Sequence, residues 1–158
     1  MDFQFKLVPY DPSLKMYFKV LNVEWLESYF SVTDEDHKIL SQPEKIIEED
    51  GSVLFVSMND RIVGTCALIR EDEHTIELAK MGVTQTARGK GAGDFLLKAA
   101  IEEARKKGAH ILSLETASVL EPAIGLYTKY GFRKVGEEHI HPLFGRKTFR
   151  MELVLRKS

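Results

Sequence analysis

The residues Arg88-Gly89-Lys90-Gly91-Ala92-Gly93-Asp94 set three glycines and two cations between an apolar run and an amphipathic one. Glycine lets a backbone approach a ligand closely, and the first amides of a helix have no intrahelical partner. Those amides, with the positive end of the helix dipole, form an anion site suited to phosphates. The chemistry this stretch supports is binding of something phosphorylated at residues 88 to 94.

Three common phosphate-binding loops do not fit. A P-loop needs Ser or Thr after Gly-Lys to hold magnesium, and here Gly91 follows Gly89-Lys90. The dinucleotide fingerprint needs glycine at relative positions 1, 3 and 6 after the first strand of a βαβ unit. Gly89 and Gly91 satisfy it, but Asp94 stands at the last position and the loop comes late in the chain. Kinase glycine loops join two strands and do not open a helix.

The pattern Arg88-x-x-Gly91-x-Gly93 instead resembles the acyl-CoA pyrophosphate loop of the GNAT superfamily of N-acyltransferases. Ala123-Ile124-Gly125-Leu126-Tyr127-Thr128-Lys129-Tyr130-Gly131-Phe132 is similar to that superfamily's A-I-x-L-Y-x-x-x-G-F segment. Phe55-Val56-Ser57 with Ile62-Val63-Gly64-Thr65 resembles its central hairpin. One glycine loop alone carries little weight; three segments in register, from about Gly51 to the C-terminus, carry far more.

The resemblance implies a donor site. The strand before the loop splays from its neighbour and frees backbone groups of Met81 and Val83 for pantetheine, with Gly82 at a bulge or close ligand approach. The amides of Arg88, Gly89, Lys90, Gly91, Ala92, Gly93 and Asp94 hold the pyrophosphate, and Arg88 and Lys90 add charge. Lys90 reads equally well as a solvated surface lysine. The superfamily's asparagine ahead of the A-I-x-L-Y segment is missing, since Leu120 stands near that place. Thr116, in Leu114-Glu115-Thr116, is the substitute for its polar contact.

The resemblance also implies a reaction: acetyl transfer from acetyl-CoA to a primary amine, by direct attack in a ternary complex and without a metal. Tyr127 matches the tyrosine beside the thioester sulfur and is the implied acid; the alternative is a core aromatic on the face it shares with Ile124. Glu77 matches the strand position of a catalytic glutamate and is the implied base, acting directly or through water; the alternative is an outward-facing charge. Backbone amides near Met81 to Val83 would polarise the thioester carbonyl. Glu115 reads as a charge on the outer face of the sheet, with a place near the acceptor as the alternative. A non-catalytic CoA-binding sensor or interaction module on the same fold is the rival function.

The acceptor, a small-molecule or peptide amine, is not specified. Trp25, Glu27, Tyr29 and Phe30 fall where such folds wall the acceptor cleft, although Trp25 and Phe30 read first as core. His139 and His141 flank Ile140 without the cysteine or carboxylate partners a metal site requires.

These residues need a scaffold, and the hydrophobic periodicity describes one. Phe3 to Val8 alternates as a strand, and Asp11-Pro12-Ser13 opens a helix carrying Leu14, Tyr17, Phe18 and Leu21. A second helical segment spans Trp25 to Phe30. The acidic stretch Thr33 to Asp36 then leads past Leu40 to a short helix near Glu44 to Glu49. Ser52–Met58 and Arg61–Arg70 form a hairpin at Asn59-Asp60, followed by a strand at Thr75–Val83. A helix from about Gly91 to Lys107 buries Leu96, Leu97, Ala100, Ile101 and Ala104. Next come a strand at Ile111–Thr116, a helix at Glu121–Tyr130 and strands at Phe132–Glu138 and Lys147–Leu155, these last two joined by a loop at His139–Arg146. The class is α+β, with a mixed, mostly antiparallel sheet and helices on both faces.

The totals agree with one domain over 1–158 that is monomeric or homodimeric. At 44% apolar and 29% charged, the composition is that of an ordinary globular protein. A net charge of -2 leaves no basic footprint for nucleic acid. Apolar runs are too short to cross a membrane, and Met1 to Lys6 has no signal-peptide pattern. A lone cysteine, Cys66, reads as a buried hydrophobe and fits the reducing cytoplasm.

Overall fold

The computed structural model describes residues 3–155; Met1 and Asp2, part of the segment read for a signal peptide, lie outside the described residues. The elements are β1 (Phe5–Pro9), α1 (Lys15–Tyr29), α2 (Asp34–Leu40), α3 (Pro43–Glu48), β2 (Ser52–Met58), β3 (Arg61–Arg70) and β4 (Thr75–Val83). They continue with α4 (Ala92–Lys106), β5 (Ile111–Thr116), α5 (Glu121–Lys129), β6 (Arg133–Ile140) and β7 (Lys147–Val154). The strands make one sheet in the order β1-β2-β3-β4-β5-β7-β6. The β4–β5 pair is parallel and the other neighbours are antiparallel. The expected α+β class and mixed, mostly antiparallel sheet are what the chain forms.

Strand alternation sends successive side chains to opposite faces. In β2, Leu54 and Val56 join a core with Leu96, Leu97, Ala100 and Ile101 of α4. Val53 and Phe55 point the other way, to Phe18 and Leu26 of α1, Leu40 of α2 and Ile46 of α3. Both faces are covered, so the central strands read as nearly unbroken apolar runs. The hairpin turns at Asn59 and Asp60, both at positive φ (51° and 69°), which Asn and Asp tolerate better than most side chains. No helix among the described residues is long and apolar enough to cross a membrane.

Three details differ from the sequence reading. First, α1 is one continuous helix rather than two segments. Its middle is secured by Asn22, which is 1% exposed. The Asn22 amide donates to Phe18 O at 2.8 Å and accepts from Trp25 Nε1 at 3.2 Å. Tyr17, placed on the buried stripe by spacing, is 44% exposed. Second, the acidic stretch is helical: Thr33 and Asp36 form a reciprocal cap at the start of α2, where carboxylates also face the positive end of the helix dipole. Third, β6 runs to Ile140, two residues past the expected end, because His139 and Ile140 pair with Thr148 and Lys147.

Candidate active site

β4 and β5 pair over Thr75–Ile111, Ile76–Leu112 and Glu77–Ser113, and no further. Beyond that rung β5 stays paired with β7 as far as Thr116–Phe149. β4 keeps only β3, across a bulge: Lys80 and Met81 lie between the Ala79 and Gly82 pairings, opposite the single residue Cys66. Lys80 sits there at φ 52°. Such a bulge sharpens strand twist, and it turns β4 away from β5 to leave a wedge in the sheet.

Two cavities occupy this region. The larger, about 480 Å³, is bordered by Met81, Val83, the glycine turn and Tyr127. The smaller, about 130 Å³, is bordered by Glu77, Lys80, Glu115, Thr116, Thr148 and the aromatic rings of Trp25, Phe30 and Phe144. Trp25 and Leu120 border both cavities.

In the larger cavity the glycine turn is held from two sides. Glu24 of α1 accepts from Thr84 Oγ1 and from the Gln85 amide, each at 2.9 Å. Phe5 of β1 packs against Phe95 with the rings tilted by 34° and their centroids 5.7 Å apart. The first bond of α4 runs from Phe95 N to Gly91 O, and Gly91 supplies no side-chain cap. Among the described residues the amides of Gly89, Lys90, Gly91, Ala92, Gly93 and Asp94 therefore have no backbone acceptor. Gly89 and Gly91 take φ of 75° and 98°, the left-handed region that favours glycine. The expected residues Met81, Val83, Arg88, Gly89, Gly91, Gly93, Asp94 and Tyr127 all border this cavity.

Four others stand elsewhere. A Cβ on Gly82 would lie 2.7 Å from Trp25 Cδ1 and 2.9 Å from Leu21 O. Close packing of α1, not ligand approach, requires that glycine. Ala92 is buried beneath the turn, with only its backbone available. Lys90 is exposed, its Nζ 5.5 Å from the Phe3 ring centroid. Thr116 is buried and borders the smaller cavity instead. The Asp94 carboxylate is engaged by Lys129 Nζ at 2.7 Å and the Tyr130 hydroxyl at 3.0 Å, which hold it ionised below its ordinary range. It ties α4 to α5.

Alternation places Glu77 on the α1 face, between Ile76 and Leu78, which enter the α4 core. Burial is the main force raising its pKa to about 7; Glu71 and Glu115 raise it further, while Lys80 and Arg150 oppose. A carboxylate poised near neutrality suits a general base. Tyr127 approaches from the opposite face of the sheet, its ring 5.7 Å from that of Phe132. Burial pushes its phenol up to about 12, so it remains protonated at neutral pH.

The smaller cavity contains Arg146 and Lys80, which the sequence reading passed over, beside residues that it named. Arg146, from the loop between β6 and β7, reaches Asp36 through both terminal nitrogens (Nη1 to Oδ1 at 3.2 Å) and donates to Ser31 O at 2.9 Å. Its guanidinium lies 5.2 Å from the ring centroids of both Phe30 and Phe144. Lys80 Nζ sits 4.3 Å over Phe144, and burial lowers its pKa. His141, kept neutral mainly by burial, accepts the Leu143 amide at 3.2 Å. Glu115 is not on an outer face: it borders this cavity, with Oε1 3.1 Å from His139 Nε2. Of this lining the sequence reading had named Trp25, Phe30, Glu115 and His141, while no local pattern singled out Lys80, Arg146 or Thr148. Among the described residues no group of three or more His, Cys, Asp or Glu is placed to hold a metal ion.

Residues 18–132 match the profile of the acetyltransferase (GNAT) family. N-acetyltransferase 8B of Homo sapiens is 29% identical over 101 residues, covering 60% of this chain and 44% of that protein. The chain thus spans less than half the length of that relative. An acetyltransferase of the GNAT family from Staphylococcus aureus Mu50 superposes with a TM-score of 0.83 at 21% identity, covering 97% of this chain and 100% of the other. A GNAT family acetyltransferase from Elizabethkingia anophelis, solved with acetyl-CoA bound, superposes with a TM-score of 0.73 at 19% identity, covering 96% and 98%. With most of its length matched to the profile and its sheet split beside Glu77, the chain belongs to the acetyltransferase (GNAT) family.

Proposed function

We propose that this protein transfers the acetyl group of acetyl-CoA to a primary amine, the two substrates meeting in the wedge between β4 and β5. The observation that carries this reading is the pair of cavities that share Trp25 and Leu120, one beside the free amides of the glycine turn and the other beside Glu77. The amides from Gly89 to Asp94 bind the pyrophosphate, aided by the dipole of α4 and by Arg88. Backbone groups of Met81 and the amide of Val83, unpaired on the β5 side, receive the pantetheine arm and polarise the thioester carbonyl, while Val83 O accepts from Arg88 Nε at 3.1 Å.

The acceptor enters the smaller cavity as an ammonium and gives one proton to the Glu77 carboxylate. The free amine attacks the thioester carbonyl carbon and a C–N bond forms. As the adduct collapses the C–S bond breaks, and the second proton of the nitrogen passes, directly or through water, to the departing thiolate, leaving the amide and the CoA thiol. In solution the carboxyl and amine pKa values differ by roughly six. Glu77 at about 7 halves that difference, and burial of the ammonium narrows it further. A phenol near 12 does not surrender its proton to a thiolate whose conjugate acid lies near 8.5 (roughly the cysteine value). Tyr127 therefore stabilises the leaving sulfur by donating a hydrogen bond, a weaker role than full proton transfer.

The test is thiol release from acetyl-CoA with n-butylamine, 1,4-diaminobutane, glycine and a peptide with a free α-amine. Turnover with at least one is expected. CoA binding without any amine-dependent thiol release would support the non-catalytic sensor instead.

A further inference from the structure

We propose that Glu115 and Thr148 form the docking point for the acceptor's ammonium group, so that the acceptor is a compact, cationic primary amine. This rests on the smaller cavity being the acceptor site.

The first support is a charge inventory of that cavity. Its walls carry the carboxylates of Asp36, Glu77 and Glu115 and the cations of Lys80 and Arg146. Asp36 is engaged by Arg146 through two hydrogen bonds. Lys80 has Asp36 and Glu77 as its stabilising neighbours. Glu115 is left in excess. Its register partner on β7, Arg150, is turned to Glu71 and Glu152, at 3.1 Å and 2.8 Å. His139 takes only the outer oxygen, Oε1.

The second support is an independent one. Among the described residues two buried side-chain polar atoms have no hydrogen-bond partner, Glu115 Oε2 and Thr148 Oγ1. Both residues border this same cavity, and Thr148 is 9% exposed. Thr148 lies two residues along β7 from Arg150, so it shares a sheet face with Glu115 at a diagonal position. Buried polar atoms are nearly always partnered, and two adjacent orphans facing one cavity mark where a ligand supplies the donor.

Glu115 Oε2, a carboxylate oxygen, can only accept, so the ligand must donate there, and the Thr148 hydroxyl can accept a second N–H. An ammonium has three N–H donors, enough for both atoms with one proton left for Glu77. The Trp25 ring favours a cation and the apolar stem behind it, whereas Phe30 and Phe144 already face Arg146 and Lys80. A cavity of about 130 Å³ is close to the size that holds one benzene, so only a narrow head enters.

The experiment combines calorimetric binding of n-butylamine and 1-butanol with steady-state kinetics on the best-used amine of the panel above, for wild type, Glu115→Gln and Thr148→Val. Wild type is expected to bind n-butylamine and not 1-butanol. Glu115→Gln should raise the amine KM and Kd tenfold or more, and Thr148→Val threefold or more. The acetyl-CoA KM should stay within twofold in both. An amine KM and Kd within twofold of wild type in Glu115→Gln would overturn the docking point while leaving acetyl transfer standing. Amine binding that needs Glu115, without any turnover in wild type, would uphold the docking point and refute the acetyl-transfer reading.

Discussion

Glu77 pairs with Ser113 at the last rung between β4 and β5, and the two strands part immediately beyond it. The carboxylate thus stands at the apex of the wedge, shielded enough to titrate near 7 yet open to the smaller cavity.

A base with that pKa must be ionised to accept a proton. Below about pH 7 the kcat/KM for the amine should fall about tenfold per pH unit as Glu77 protonates. Glu77→Gln should lose about 100-fold in kcat and show no inflection near 7. A rate profile with that inflection retained in the variant would assign the base elsewhere.

The same burial affects stability. Folding raises the Glu77 pKa, so a cost to stability builds as pH rises from about 4.5, where the unfolded carboxyl ionises, and is complete above about 7, where the folded one has ionised too. The rise from 4.5 to about 7 corresponds to roughly 3 kcal/mol, reduced to about 2 by partial solvent access. Glu77→Gln should melt about 5 °C higher than wild type at pH 8.5 and at the same temperature at pH 4. Thermal melts at the two pH values read this directly.

Gly93 offers a cleaner probe of the donor loop than Gly91. Any side chain at Gly91 is strained by its φ of 98° and its Cβ meets Phe5 at 3.5 Å, so Gly91→Val should raise the acetyl-CoA KM and also lower Tm by several degrees. At Gly93 a Cβ touches only Leu126 Cδ2, at 3.5 Å. Gly93→Val should raise the acetyl-CoA KM about tenfold with Tm nearly unchanged. An unaltered KM would move the pyrophosphate away from this turn.

The Arg146–Asp36 pair holds the loop between β6 and β7 against α2, with Asp36 1% exposed. Removing one buried partner strands the other charge, so Asp36→Asn should cost about 3 kcal/mol and lower Tm by about 10 °C. Combining it with Arg146→Met should recover part of that loss, a coupling visible in a double-mutant cycle.

Periodicity and glycine placement made most of the scaffold legible. The meander, the bounds of β4, the α4 stripe and the glycine turn follow from patterns only a few residues long, set by strand pleat, helix pitch and the steric freedom of glycine. The proposed donor loop was readable for the same reason: the amides it leaves without acceptors are consecutive in the chain. The acceptor side was not. Asp36, Glu115, Arg146 and Thr148 come from four separate segments, and each alone looks like an ordinary helix cap, strand charge or loop cation. Gly82 shows the same limit: its backbone lies beside the expected pantetheine groups, yet Trp25 from α1 explains the missing side chain.

The sequence by itself determined the α+β class, most of the element order and the glycine turn ahead of α4, because local backbone preferences need no distant partner, and its motifs carried the family resemblance. Only the tertiary structure decided which charges share a cavity, which of them cancel, and that Glu115 is left over. Those outcomes depend on strand register and on the bulge at Lys80 and Met81 that parts β4 from β5.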